Sequence, residues 1–112
     1  MDSDSPIDFS SIDTAVHGPV RLGVLTALQA EGSLDFTTLK KRLNVVDGAL
    51  GTHLGKLEAS GYVTCRKTFV GRRPKSTYTI SDKGRKALIH YLQQMQKLID
   101  SLNPDSNPRP TP

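Results

Sequence analysis

The sequence predicts one mainly α-helical domain with a small antiparallel β-hairpin, an α+β fold. Two runs, residues 62–69 and 76–80, are rich in β-branched and aromatic residues, and Gly71 and Pro74 lie in the turn between them. Capped and periodic stretches on both sides of the runs predict helices, the last of them about 30 Å long. Because a two-stranded ribbon is marginal alone, we expect the hairpin to pack on the helices.

Charge is distributed unevenly along the 112 residues. The net charge is +4, yet residues 1–13 contain four aspartates and no base, so the rest of the chain carries +8 (the four negative charges added back to +4). That excess suits a polyanionic partner. We expect disordered ends at 1–6 and 103–112, where the second is rich in proline, and one folded domain over 7–102.

Several classes of protein are disfavoured by composition. A single cysteine argues against a disulfide framework, and no apolar run approaches the ~20 residues that span a bilayer. The acidic N-terminus is unlike a signal peptide, so we expect a soluble, cytoplasmic protein with no membrane partner. The histidines at 17, 53 and 90 are scattered, and we expect no catalytic site, no metal and no cofactor.

The first half of the chain predicts two helices and a short strand. Pro19 is a good first helical residue, and the first helix runs from it to Gly32. A strand is expected at 33–35, followed by a helix at 36–43 that Asp35 caps. The pattern leaves open whether residues 7–17 form a short leading helix.

The third helix is predicted over 48–60, with Asp47 as its N-cap and Gly61 as its left-handed end. Leu50, Leu54 and Leu57 share the inward face by helical periodicity. The outward face contains Gly48 and Gly55, with Gly51 at its flank, although each glycine costs a helix about 1 kcal/mol relative to alanine. Two explanations stay open: a smooth surface that approaches a ligand, or close packing of Gly51 or Gly55 against the second helix.

The hairpin is basic. Residues 66–75, hereafter the wing, contain five cations and no acid: Arg66, Lys67, Arg72, Arg73 and Lys75. Gly71 provides the turn, and Pro74 is expected to block ladder pairing where the second strand begins.

The fourth helix is predicted over 82–102, with Ser81 as its N-cap. Its apolar positions recur at steps of three and four over two heptads, which indicates a helix partner and, most simply, a second copy of the chain. The expected dimer contacts are Leu88, Tyr91, Leu92, Met95, Leu98, Ile99 and Leu102. The alternative is that the whole stripe folds back onto the first helix of the same chain.

The order of these elements resembles the winged helix-turn-helix transcriptional regulators of the MarR and ArsR type. A pattern Asp-Gly-x-Leu-x-x-His-Leu-x-x-Leu-Glu occupies residues 47–58, and Gly61-Tyr62-Val63 follows it. Further matching segments lie at 17–22, 69–74 and 81–85, so the likeness covers roughly residues 15–100. The resemblance implies a dimer that binds duplex DNA and regulates transcription, with the third helix as the reading helix.

On that interpretation the outward face of the third helix contacts DNA. Thr52 and Lys56 are candidates for base edges or phosphates, Ala49 for a thymine methyl group, and Gly48 for a close approach. His53 either donates to DNA or serves the structure. Arg72, Arg73 and Lys75 are expected on the backbone or in the minor groove, and Lys40 and Lys41 on the backbone unless they form a solvated face.

Two other functions remain open at this point. A winged-helix module of this charge would also suit an acidic protein partner. Cys65 alternates with Val63 on its strand and is expected to be a small buried hydrophobe, but its neighbours Arg66 and Lys67 would activate an exposed thiol, which would make the protein a thiol-sensitive repressor. The sequence does not identify an effector ligand, the operator or the sign of regulation.

Overall fold

The computed structural model describes residues 12–102. The tails predicted as disordered, 1–6 and 103–112, lie outside these residues, as does the first part of the stretch 7–17. The elements are α1 (Pro19–Glu31), β1 (Ser33–Asp35), α2 (Phe36–Leu43), α3 (Asp47–Ala59), β2 (Val63–Val70), β3 (Arg73–Ile80) and α4 (Asp82–Leu102). Within these residues, four helices pack with a three-stranded antiparallel sheet, so the predicted fold class is confirmed.

The segment that precedes α1 is a turn over its described residues, not the leading helix considered for 7–17. The backbone amides of Val16 and His17 donate to the carbonyl oxygen of Asp13, and Val16 is fully buried. The hydroxyl of Tyr62 donates to the carboxylate of Asp13, and this bond, together with burial, raises the pKa of Tyr62 to about 12. The turn is therefore fixed to the body by its side chains.

The predicted cap of α2 is confirmed. The Oδ1 atom of Asp35 accepts a hydrogen bond from the backbone amide of Thr38 at 2.8 Å. The hydrogen bonds from Thr38 hold the pKa of Asp35 below its usual value, and the nearby Lys75 and Lys41 add to the effect. An aspartate at this position satisfies an orphan amide and complements the positive end of the helix dipole.

The predicted start of α3 is wrong by one residue. Val46 occupies the N-cap without a side-chain bond, and Asp47 is already helical. Its carboxylate lies 2.7 Å from the Nζ atom of Lys40. The end of α3 is as predicted: Gly61 has φ 77, and the amides of Gly61 and Tyr62 donate to the carbonyls of Glu58 and Leu57, which closes a Schellman motif.

The sheet has the order β1-β3-β2, with β3 in the centre. The predicted turn is too long, because only Gly71 and Arg72 separate the strands and Pro74 pairs in register with Phe69. Proline is tolerated here because β1 reaches only Thr77 of β3, so in the described chain the outer edge of β3 at Pro74 has no strand that needs its N–H.

The core lies between the helices and one face of the sheet. Three inward leucines of α3, at 50, 54 and 57, are buried as predicted, together with Leu25, Leu28 and Leu39 of α1 and α2. The buried face of α1 also includes Val24, while Leu22 is only half-buried. This core orients α3 so that its other face points away from the body.

Candidate nucleic-acid interface

The outward face of α3 is open. Gly48, Thr52, Gly55 and Lys56 are exposed, while Ala49 and His53 are half-buried at the edges of the face. The hydroxyl of Thr52 donates to the carbonyl of Gly48 at 3.0 Å, within the same helix. Among the described residues Lys56 forms no ion pair, so its ammonium group is available to a partner.

The three glycines of α3 have no packing role within residues 12–102. A Cβ atom placed on Gly48, Gly51 or Gly55 would have no neighbouring heavy atom within 4 Å. The explanation by close packing against α2 is therefore excluded in the described chain. What remains is a helix surface from which side chains are missing, and a ligand can approach its backbone closely.

The protonated form of His53 is disfavoured by its surroundings. Burial lowers its pKa from the ordinary 6.5, and the charges of Arg21 and Lys56 lower it further. Its buried Nδ1 atom has no hydrogen-bond partner among residues 12–102. A neutral imidazole at the edge of the outward face can donate or accept one hydrogen bond.

The lowered pKa of His53 predicts a pH dependence. Since the unfolded chain binds the proton more tightly, the free energy of unfolding is at its full value above about pH 6.5 and falls as the pH drops from there through the folded pKa. Lys56→Gln removes one of the two cations and should raise the pKa of His53, as measured by NMR titration of the imidazole Cε1 proton. Lys97→Gln, on the exposed side of α4, should leave that pKa unchanged. Equal pKa values in all three proteins would contradict this account.

The tip of the wing is basic and apolar at once. Arg72, Arg73 and Lys75 are exposed, and Lys75 approaches Asp35 at 3.9 Å. Phe69 and Val70 are 73% and 61% exposed, beside the arginines. We expected Phe69 only as part of the first strand and gave it no role at the tip. Its position next to a predicted turn was the available signal.

The cationic cluster at the end of α2 is partly engaged. Lys40 pairs with Asp47 and Arg42 pairs with Glu31, whereas Lys41 is exposed and forms no ion pair with a described acid. The predicted contact residues Lys40 and Lys41 thus differ: Lys40 supports the turn into α3, and Lys41 is free for a phosphate.

The apolar stripe of α4 divides into two parts. Leu88 and Tyr91 are buried in the core of the same chain, so these two predicted dimer contacts are already used. Met95 and Leu98 are half-buried, while Leu92, Ile99 and Leu102 are 49%, 52% and 79% exposed. Ile89 adds to the exposed part. The alternative in which the whole stripe folds back onto the same chain is therefore wrong for the exposed part, and dimer contacts through that part stay a prediction.

Cys65 is half-buried and packs on the core, opposite Tyr78 in the ladder. Burial raises the pKa of Tyr78 to about 12, and a hydrogen bond with Cys65 contributes. Among residues 12–102, no group of three or more His, Cys, Asp or Glu side chains lies close enough to hold a metal ion. No helix in the same range has the length and apolarity required to span a membrane.

Comparison with known proteins places these features in context. Residues 20–99 match the family model of the winged helix DNA-binding domain. An uncharacterized protein of Methanocaldococcus jannaschii is 37% identical over 83 residues, which are 74% of this chain and 90% of that protein.

Solved structures are similar over most of the chain. The transcriptional regulator homologue from Pyrococcus horikoshii has a TM-score of 0.73 and 29% identity, over 80% of this chain and 88% of its own. A MarR-family regulator from Silicibacter pomeroyi has a TM-score of 0.61 and 21% identity, over 88% of this chain and 66% of its own. At 21% identity, the similarity to the Silicibacter pomeroyi regulator shows a shared fold and nothing more.

Proposed function

Since the chain belongs to the winged helix DNA-binding domain family, we propose that it is a homodimeric regulator of transcription, with α3 in the major groove of duplex DNA and the wing on the backbone or in the minor groove. The predicted resemblance to winged helix transcriptional regulators is confirmed at the level of the family. The dimer, the contact residues and their roles are the proposed part.

The observation that carries the proposal is the outward face of α3. It is a helix surface with three glycines that no other described residue approaches, and Lys56, at its C-terminal half, pairs with no acid of residues 12–102. Each glycine costs helix stability, about 1 kcal/mol relative to alanine. That cost is explained if the backbone of α3 lies close to the floor of the groove. An acidic protein partner would explain the cations but not the missing side chains.

Few long side chains on α3 reach the bases. Ala49 suits the methyl group of thymine, and Lys56 suits the acceptors of guanine or a phosphate. Thr52 can accept a hydrogen bond while its own hydroxyl donates to Gly48. Because so few side chains of α3 can contact base edges, we propose that recognition also depends on DNA shape and on the spacing of two half-sites.

The exposed apolar part of α4 supports the dimer. Leu92 and Ile99 lie seven residues apart on a face of the helix that the described core leaves partly uncovered, and Leu102 is more exposed still. Pairing of this face with its copy would bury the apolar side chains of both protomers. A two-fold dimer of this kind presents two reading helices to major grooves about 34 Å apart.

Enrichment from a random duplex library tests the proposal. The full chain should enrich a two-fold symmetric site, with half-sites about one helical turn apart. Recovery of a sequence without symmetry would refute the dimer, and recovery of no preferred sequence from a protein that binds duplexes would refute specific recognition.

Removing the cations at the wing tip should weaken binding to every duplex alike. The double substitution Arg72→Ala, Arg73→Ala deletes up to two phosphate contacts, so the slope of log affinity against log salt should flatten by up to about two units. Fluorescence anisotropy with operator and random duplexes measures both slopes. Lys97→Gln is the control, and an unchanged slope in the double variant would remove the wing from the interface.

A further inference from the structure

An open groove lies between the N-terminal turn, the start of α1 and the C-terminal half of α3. Its volume is ≈ 430 Å³, and its described lining is Thr14, Ala15, Arg21, Lys56, Ala59 and Ser60. The volume falls in the range of small-ligand sites, roughly 300–1,000 Å³. Four of the lining residues are small, so the two cations dominate its chemistry.

The charge of this groove is not compensated within the described chain. Arg21 and Lys56 form no ion pair with any acid of residues 12–102, and no described lining residue is acidic. Both cations line the same groove, and the charge of each also lowers the pKa of His53 on α3. An anion bound between them would offset both charges.

The guanidinium of Arg21 is held in position, but not all of its hydrogen-bond donors have partners among the described residues. One of its terminal nitrogens donates to the backbone carbonyl of His17 at 3.0 Å, which fixes the guanidinium against the turn. Its Nε atom is buried and has no partner among the described residues, so an anion in the groove would have to bind at the terminal nitrogens. A planar guanidinium fixed in this way is suited to an oxyanion, and the ammonium of Lys56 adds a mobile second charge.

We infer that the groove between Arg21 and Lys56 is a binding site for one oxyanion, a phosphate or a carboxylate. Two sources have this chemistry: the DNA backbone and a free small molecule. A backbone phosphate would extend the interface from α3 to the start of α1, an extension that rests on the proposed function. A free anion would instead engage Lys56 and withdraw it from DNA, so the groove would regulate binding.

Two measurements on the full chain test the site. The first follows the Arg21 Nε–H resonance by NMR during titration with inorganic phosphate, with chloride exchanged to hold ionic strength constant. The second measures the salt dependence of binding to a random duplex for wild type, Arg21→Gln and the control Lys97→Gln. Lys56→Gln, which changes only an exposed side chain, provides a second variant for the titration if Arg21→Gln does not fold.

Three outcomes decide the inference. A saturable phosphate shift, together with a salt slope about one unit smaller in Arg21→Gln, supports the site with the DNA backbone as its source. A saturable shift that Lys56→Gln weakens, with the slope of Arg21→Gln unchanged, supports the site with a free anion as its source. Absence of both effects overturns it. If the wild type bound no duplex, the proposed function would fail, while the phosphate titration would still decide whether the groove takes an anion.

Discussion

Replacing Leu92 and Ile99 by glutamate should produce a folded monomer that has lost most of its affinity for a two-half-site operator. Both side chains are about half exposed in the single chain, so the substitutions leave its core intact. They place charge in the proposed dimer seam, where burial of an unpaired carboxylate is costly. Because two linked half-sites bind about 10²–10⁴ times more tightly than one, the operator affinity should fall by a factor in that range.

Analytical ultracentrifugation and anisotropy measure the two effects. The matched control is Gln93→Glu with Lys97→Gln, which changes the net charge of the same helix equally but alters its exposed polar side. This control should stay dimeric and bind the operator nearly as well as the wild type. If the Leu92, Ile99 variant stayed dimeric, the seam would lie elsewhere.

The substitution Gly84→Ala should cause the largest loss of stability. A Cβ atom at Gly84 would lie 2.1 Å from the carbonyl oxygen of Tyr62, a backbone atom that also accepts the amide of Ser81. Because a backbone carbonyl cannot rotate away as a flexible side chain can, the steric cost should reach about 3 kcal/mol. Alanine returns up to about 1 kcal/mol of helix propensity, which leaves a net loss of about 2 kcal/mol.

Thermal unfolding at a fixed protomer concentration measures this loss, which should lower Tm by about 10 °C. Gly51→Ala is the matched control, because its added methyl group meets open space. It should stabilise α3 by about 1 kcal/mol and yet weaken DNA binding, since the methyl group would separate the helix from the groove floor. A Gly84→Ala protein as stable as wild type would show that α4 does not approach the backbone of Tyr62, just before β2, as closely as described.

Local signals in the sequence were sufficient for most of the fold. The cap at Asp35, the proline at the start of α1 and the left-handed Gly61 each act within a few residues, and the elements they bound were predicted within one or two residues. The prediction that Pro74 blocks ladder pairing was wrong, because the effect of a proline depends on whether a third strand lies beside it. A proline is compatible with a ladder where its nitrogen faces an edge that no strand pairs with, and β1 stops short of Pro74.

The candidate interface was predicted less completely. Periodicity indicated an apolar stripe on α4, but a one-dimensional pattern cannot distinguish the part that covers its own core, such as Leu88, from the part left exposed, such as Ile99. The groove between Arg21 and Lys56 joins residues far apart in the chain, so no local motif marks it. Its chemistry became visible only in the folded chain.

Fluorescence anisotropy of a labelled random-sequence duplex, titrated with the full chain from low to physiological salt, tests the central claim most directly. The account predicts tight binding at low salt and a linear decrease of log affinity with log salt, with a slope of about −0.9 for each phosphate that the protein neutralises. A folded protein that bound no duplex even at low salt would contradict the account, and an acidic protein would then be the partner to seek for the wing.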